Sequence, residues 1–143
     1  MANISENFMD DMTDEQKKVF LKALLFACKA DGKVDEKEVR YIKRTADKYK
    51  IDDIKKIFEP MTEDQFFEEL SCFSERKWAL ELIKGIFKIS LSDYDLSDSE
   101  LDFIYRIGHK LGIDSTKIEE INNWVLDYIV WQEQGKIIFE ENN

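Results

Sequence analysis

Six carboxylates fall in two clusters, Asp31, Asp35 and Glu38 in one and Asp93, Asp95 and Glu100 in the other. Oxygens gathered this way ligate hard cations: calcium takes about 6–8 of them, and magnesium about six with several waters. Either cluster alone supplies too few. The two together would suffice for calcium or magnesium if their loops converge, and a divalent ion would relieve the repulsion between the carboxylates. A second reading stays open beside this one. Glu38 and Glu100 stand three residues after Asp35 and Ser97, the spacing of a capping box, in which the cap side chain and the glutamate satisfy each other's free backbone N–H groups. Acidic residues at a helix start also favour the macrodipole. Neither loop is an EF-hand, because the twelfth position counted from Asp93 is Ile104, where a bidentate glutamate belongs.

Other chemistry is sparsely represented. His109 is the single histidine, so triads and multi-histidine metal sites have no material, and a surface position is expected for it. There is no glycine-rich phosphate loop and no serine elbow. Cys28 and Cys72 stand far apart among apolar residues and read as reduced core thiols of a cytoplasmic protein. Trp78, Trp124 and Trp131 lie on helical faces, where packing into the core is the default, with Trp131 the one placed to anchor a partner if exposed. No enzymatic activity is expected.

The chain has 143 residues, 43% of them hydrophobic and 13% aromatic, enough for the core of one domain. Its formal net charge of −10 repels phosphate backbones, so nucleic acid is not an expected partner, while basic protein surfaces and cations are. No stretch approaches the ~20 apolar residues of a membrane span. The polar, acidic segment 1–14 lacks the basic start and apolar run of a signal peptide. A protein partner and a monomer or weak dimer are expected.

The elements that must position these residues all read as helices, about seven of them. Thr13 with Gln16, Asp35 with Glu38, Thr62 with Gln65 and Ser97 with Glu100 are capping boxes, and Val34 with Val39 and Leu96 with Leu101 are hydrophobic staples. The first helix runs from Thr13 toward Asp31-Gly32, and the second carries Val39, Ile42 and Ala46. A short helix holds Ile54, Ile57 and Phe58 before Pro60, and the helix after Thr62 holds Phe66, Phe67 and Leu70. A fifth begins near Ser74 and leads through Trp78, Leu82, Ile83, Ile86 and Ile89 to the second acidic loop. A sixth from Ser97 ends at Gly112, and the last, from Asp114, carries Ile118, Ile121, Val125, Tyr128 and Ile129. The tail 135–143 reads as loosely held, and the run Trp131 to Phe139, with Ile137, Ile138 and Phe139 among polar residues, reads either as a short docking segment or as a tail folded back on the domain.

A shift of 62 positions lays Ala30–Asp52 over Ser92–Asp114 without a gap. Asp31 meets Asp93, Glu38 meets Glu100, and Ile42, Arg44, Lys48, Ile51 and Asp52 meet Ile104, Arg106, Lys110, Ile113 and Asp114. The preceding helices align too, Phe20, Leu21, Lys22 and Leu24 with Leu82, Ile83, Lys84 and Ile86. Two helix–acidic loop–helix repeats, about 20–52 and 82–114, are therefore expected to pack about a pseudo-two-fold axis, since one such hairpin cannot cover its own apolar faces.

The run Ala30-Asp31-Gly32-Lys33-Val34 followed by Glu38, with its echo from Asp93 to Glu100, resembles the TerB family of tellurite-resistance proteins. The helical domain of that family is in turn similar to the N-terminal domain of DjlA-type co-chaperones. The resemblance covers roughly Val19 to Tyr128. It implies one all-α domain with a pseudo-two-fold axis, acidic loop residues that bind a metal, a role in bacterial stress, tellurite or phage-related systems, and no settled enzymatic activity. By the same resemblance, an adaptor without metal is the alternative function. Tyr94 departs from the pattern where a glycine is expected, which puts a symmetrical second site in doubt.

Overall fold

The structure, a computed structural model, describes residues 9–30, 32, 36–51, 54–91 and 96–140. Among them every regular element is helical and no strand occurs. The seven α-helices are α1 (Asp14–Ala30), α2 (Glu36–Lys48), α3 (Lys55–Phe58), α4 (Glu63–Glu69), α5 (Arg76–Leu91), α6 (Asp98–Lys110) and α7 (Ser115–Phe139). A single 3₁₀ turn, Leu70–Phe73, follows α4.

The helix starts lie where local hydrogen bonding puts them. The Thr13 backbone N–H donates to Gln16 Oε1 at 2.9 Å, and the Gln16 N–H donates to Thr13 Oγ1 at 3.0 Å. Thr62 with Gln65 and Ser97 with Glu100 close the same reciprocal box. Asp35, the cap expected for α2, lies outside the described residues, as does its staple residue Val34. Asp114 caps α7 by accepting from the Lys117 N–H at 2.8 Å. The start of α5 falls at Arg76, two residues later than Ser74.

The centre of the fold is α1. Its buried residues, among them Phe20, Leu21, Leu24 and Ala27, face several directions, as a helix surrounded by others requires. It packs on α2, α3, α4, α5 and α6, while α7 covers α5 and α6. Phe26, Phe66 and Phe103 stack in one aromatic column joining α1, α4 and α6, with ring centroids 4.8–6.1 Å apart. The Arg106 guanidinium lies over Phe103 at 5.1 Å and bonds Glu63 at 2.7 Å, which closes that column on its outer side.

A shift of 62 residues carries the bounds of α2 onto those of α6 and the start of α1 onto the start of α5. Burial follows the same register: Phe20, Leu21, Leu24 and Ile42 are buried, and so are Leu82, Ile83, Ile86 and Ile104. The packing is less symmetrical. A two-fold axis would seat α2 on α5 as it seats α1 on α6, but no packing comparable to α1–α6 joins α2 and α5 among the described residues.

Two expectations change. The segment from Gly135 is not a loose tail up to Phe139, because α7 runs through Gly135. One glycine costs a helix only about 1 kcal/mol, and no proline follows to stop it. The second change concerns tryptophan: Trp124 and Trp131 are exposed, because the buried stripe of α7 is Ile118, Val125 and Ile129.

Candidate functional site

Of the six carboxylates singled out by the sequence, Asp31, Asp35, Asp93 and Asp95 lie outside the described residues. Glu38 is half-buried in the first turn of α2. Glu100, 5% exposed, sits in the first turn of α6. Its Oε1 accepts from the Ser97 N–H at 3.4 Å and the Ser97 hydroxyl at 3.2 Å, and its own N–H donates to Ser97 Oγ at 3.1 Å. The capping role of Glu100 is thus built. Among the described residues no three of His, Cys, Asp or Glu come together as metal ligands.

His109 is exposed, as expected, and its Nε2 lies 2.8 Å from Ser115 Oγ. Cys28 is buried and Cys72 half-buried, both as free thiols. Burial pushes the Cys72 thiol up to about 11, and the nearby Glu15 carboxylate adds to the rise. A thiol held this high is protonated and unreactive near neutral pH.

Among the described residues, the exposed large hydrophobics other than Trp124 gather at the far end of α7. Val130, Trp131, Ile137, Ile138 and Phe139 are all exposed, Trp131 at 69% and Phe139 at 86%. At 100° per residue these five span an arc of roughly 200°, with Gln132, Glu133, Lys136 and Glu140 on the other side. Two polar contacts of this stretch lie within α7 itself: Gln132 Nε2 donates to the Tyr128 hydroxyl at 2.9 Å, and Lys136 Nζ lies 3.5 Å from Glu133 Oε1. The last ten residues of the helix, 130–139, therefore form an arm about 15 Å long leading away from its buried stripe, half of it exposed apolar side chains.

No protein-family model, curated protein or solved structure matches this chain.

At the root of the same helix, α5 and α7 form an open groove. Its apolar floor is Leu80, Ile121 and Trp124, and its rims are the ion pairs Lys84–Glu81 (2.8 Å) and Lys117–Glu120 (2.6 Å). Trp124, at 38% exposure, links groove and arm. Residues 121, 124, 128, 131, 135 and 138 step alternately by three and four: Ile121, Trp124, Tyr128, Trp131, Gly135 and Ile138. That is the spacing of a helix–helix seam. The sequence gives the docking run Trp131 to Phe139, but reading the segment from Gly135 as a loose tail conceals that the seam continues through it. No helix among the described residues is long and apolar enough to cross a membrane.

Proposed function

We propose that this chain is a non-catalytic protein–protein interaction module that works through the arm of α7. The observation carrying the reading is the row of exposed apolar side chains from Val130 to Phe139 on a continuous helix. Single exposed apolar residues are ordinary, but contiguous patches mark contact surfaces. An amphipathic helix with anchors at one and two turns is the form in which proteins enter hydrophobic grooves. The net charge of −10 disfavours nucleic acid as the target and favours protein. A cytoplasmic setting and a stress or defence context, with a co-chaperone-like adaptor role, come from the resemblance to TerB and DjlA-type domains and belong to the same proposal.

The test is a photo-crosslinking amino acid at position 131 of the full chain in its own cell, with position 136 on the polar side as control. A discrete protein adduct from 131 and none from 136 is expected. Equal labelling from both positions, or none from either, defeats the reading.

Cation binding by the paired acidic loops is the second proposal. It is favoured by the repeated place of Glu38 and Glu100 directly after the two loops and by the burial of the Glu100 carboxyl. A ligand that binds the folded state alone raises stability as its concentration exceeds the dissociation constant, by about 2.7 kcal/mol at a hundredfold excess. Millimolar calcium, magnesium or manganese should raise the melting temperature of chelator-treated protein, and Asp31→Ala should abolish the rise. No shift with any of the three ions ends this proposal.

A further inference from the structure

We infer that the occupant of the α5–α7 groove is the α7 arm of a second copy of this chain, exchanged reciprocally in a two-fold dimer. The inference rests on the arm being the docking element proposed above and names its partner.

Both halves of the contact are on one helix. Among the described residues nothing covers the groove floor at Leu80, Ile121 and Trp124, and nothing packs against the apolar side chains of the arm. Trp124 and Ile138 are two heptads apart, about 21 Å along α7, so a chain cannot fill its own groove with its own arm while α7 stays helical. A second copy running antiparallel can. Aligned about Trp131, the two α7 helices place Ile138 of each against Trp124 of the other, and Trp131 meets its twin on the axis. Phe139 then reaches the floor beside Leu80. Such a contact is isologous and closed, so it stops at two copies.

Size and close approach favour the same occupant. One arm of ten residues in one groove makes a small contact, and stable interfaces bury about 1,200 Å² or more in total. Reciprocal exchange doubles the contact and adds the seam between the two helices. Gly135 has nothing within 4 Å of where a Cβ would stand, so a partner helix can approach closely along the seam. The polar side of the arm carries Glu133 and Glu140, which sets it against an anionic lipid surface.

The test is sedimentation equilibrium of the full chain from low to high micromolar concentration. A monomer–dimer equilibrium is expected. Trp131→Glu in the arm and Leu80→Glu in the groove should each shift it at least tenfold toward monomer. Trp131 takes no part in the core, so Trp131→Glu should leave the melting temperature of the dilute protein unchanged, which separates lost docking from lost folding. A Leu80→Cys, Phe139→Cys double variant should form an interchain disulfide on oxidation, and neither single variant should, because the two positions are too far apart within one chain. A monomer at every concentration overturns the inference, as does a dimer that persists in both glutamate variants. Either result leaves the adaptor reading standing if position 131 still crosslinks to a different protein in the cell.

Discussion

Lys50 and Gly112 hold the same left-handed backbone position 62 residues apart, with φ of 52° and 79°. Each follows a helix that closes in the same way. The Ile51 N–H donates to the Ala46 carbonyl at 2.9 Å and the Ile113 N–H to the Gly108 carbonyl at 2.8 Å, the long hydrogen bond of a Schellman end. A lysine in this conformation costs about 1–2 kcal/mol that glycine does not. Both positions are exposed, and Gly112 has nothing within 4 Å of a Cβ, so packing does not obscure the comparison. Lys50→Gly should stabilise the protein by about 0.5–1 kcal/mol after the extra freedom of glycine in the unfolded chain is counted. Gly112→Ala should destabilise it by about 1 kcal/mol. Thermal melts should show these as opposite shifts of roughly 2–4 °C. Shifts of the same sign would mean the shared cap does not govern either end.

Gly108 and Ala46 are partners under the same shift, and their difference records where α7 lies. A Cβ on Gly108 would run into Ile118 Cδ1, with Ile118 Cγ1 at 3.0 Å and Ile83 Cδ1 at 3.7 Å. Ile118 is fully buried, so it has little room to turn away. Gly108→Ala should therefore cost about 1–3 kcal/mol by overpacking the α6–α7 contact. Adding Ile118→Val should recover part of that loss in a double-mutant cycle, because the two changes meet at one point. Additive effects in denaturant melts would show that the close approach is not what requires glycine.

Most of the helical plan was legible because its signals are local. Thr13 with Gln16, Thr62 with Gln65 and Ser97 with Glu100 act across three residues, so each is complete in a four-residue window. Gly112 marks a helix end for the same reason. The packing was less legible. Nothing in a four-residue window says that α1 is surrounded on all sides, or that α2 and α5 lack a contact as close as that between α1 and α6. The docking run Trp131 to Phe139 is legible in the sequence, but its continuous helical form is not, for a physical reason. Gly135 lowers helix propensity, but helix formation is cooperative and one poor residue between good ones does not break it. Of the candidate metal set, only Glu38 and Glu100 fall among the described residues, and the capping geometry read for Glu100 is the part that the structure displays.

Cys72 supplies a pH dependence that runs toward alkali. Burial, then the Glu15 carboxylate, raises the thiol to about 11 in the folded protein, from an ordinary value near 9. The folded state therefore holds this proton more tightly than the unfolded state. The stabilisation is fully present below about pH 9, and it is lost as pH rises from there through about 11. Stability should fall over that window in wild type, and Cys72→Ala should flatten the fall without moving the curve's shape at neutral pH. Tyr49 sharpens the contrast. Burial and the 2.6 Å hydrogen bond from its hydroxyl to Asp10 Oδ1 also raise its proton affinity, so it adds to alkaline loss only at still higher pH. The companion chemical measurement is thiol alkylation with iodoacetamide. The folded chain at neutral pH should react far more slowly than an unfolded control, at Cys28 because it is buried and at Cys72 because its thiolate is scarce. Rapid single-site labelling at Cys72 at neutral pH, or an alkaline transition unchanged by Cys72→Ala, would place the raised proton affinity elsewhere.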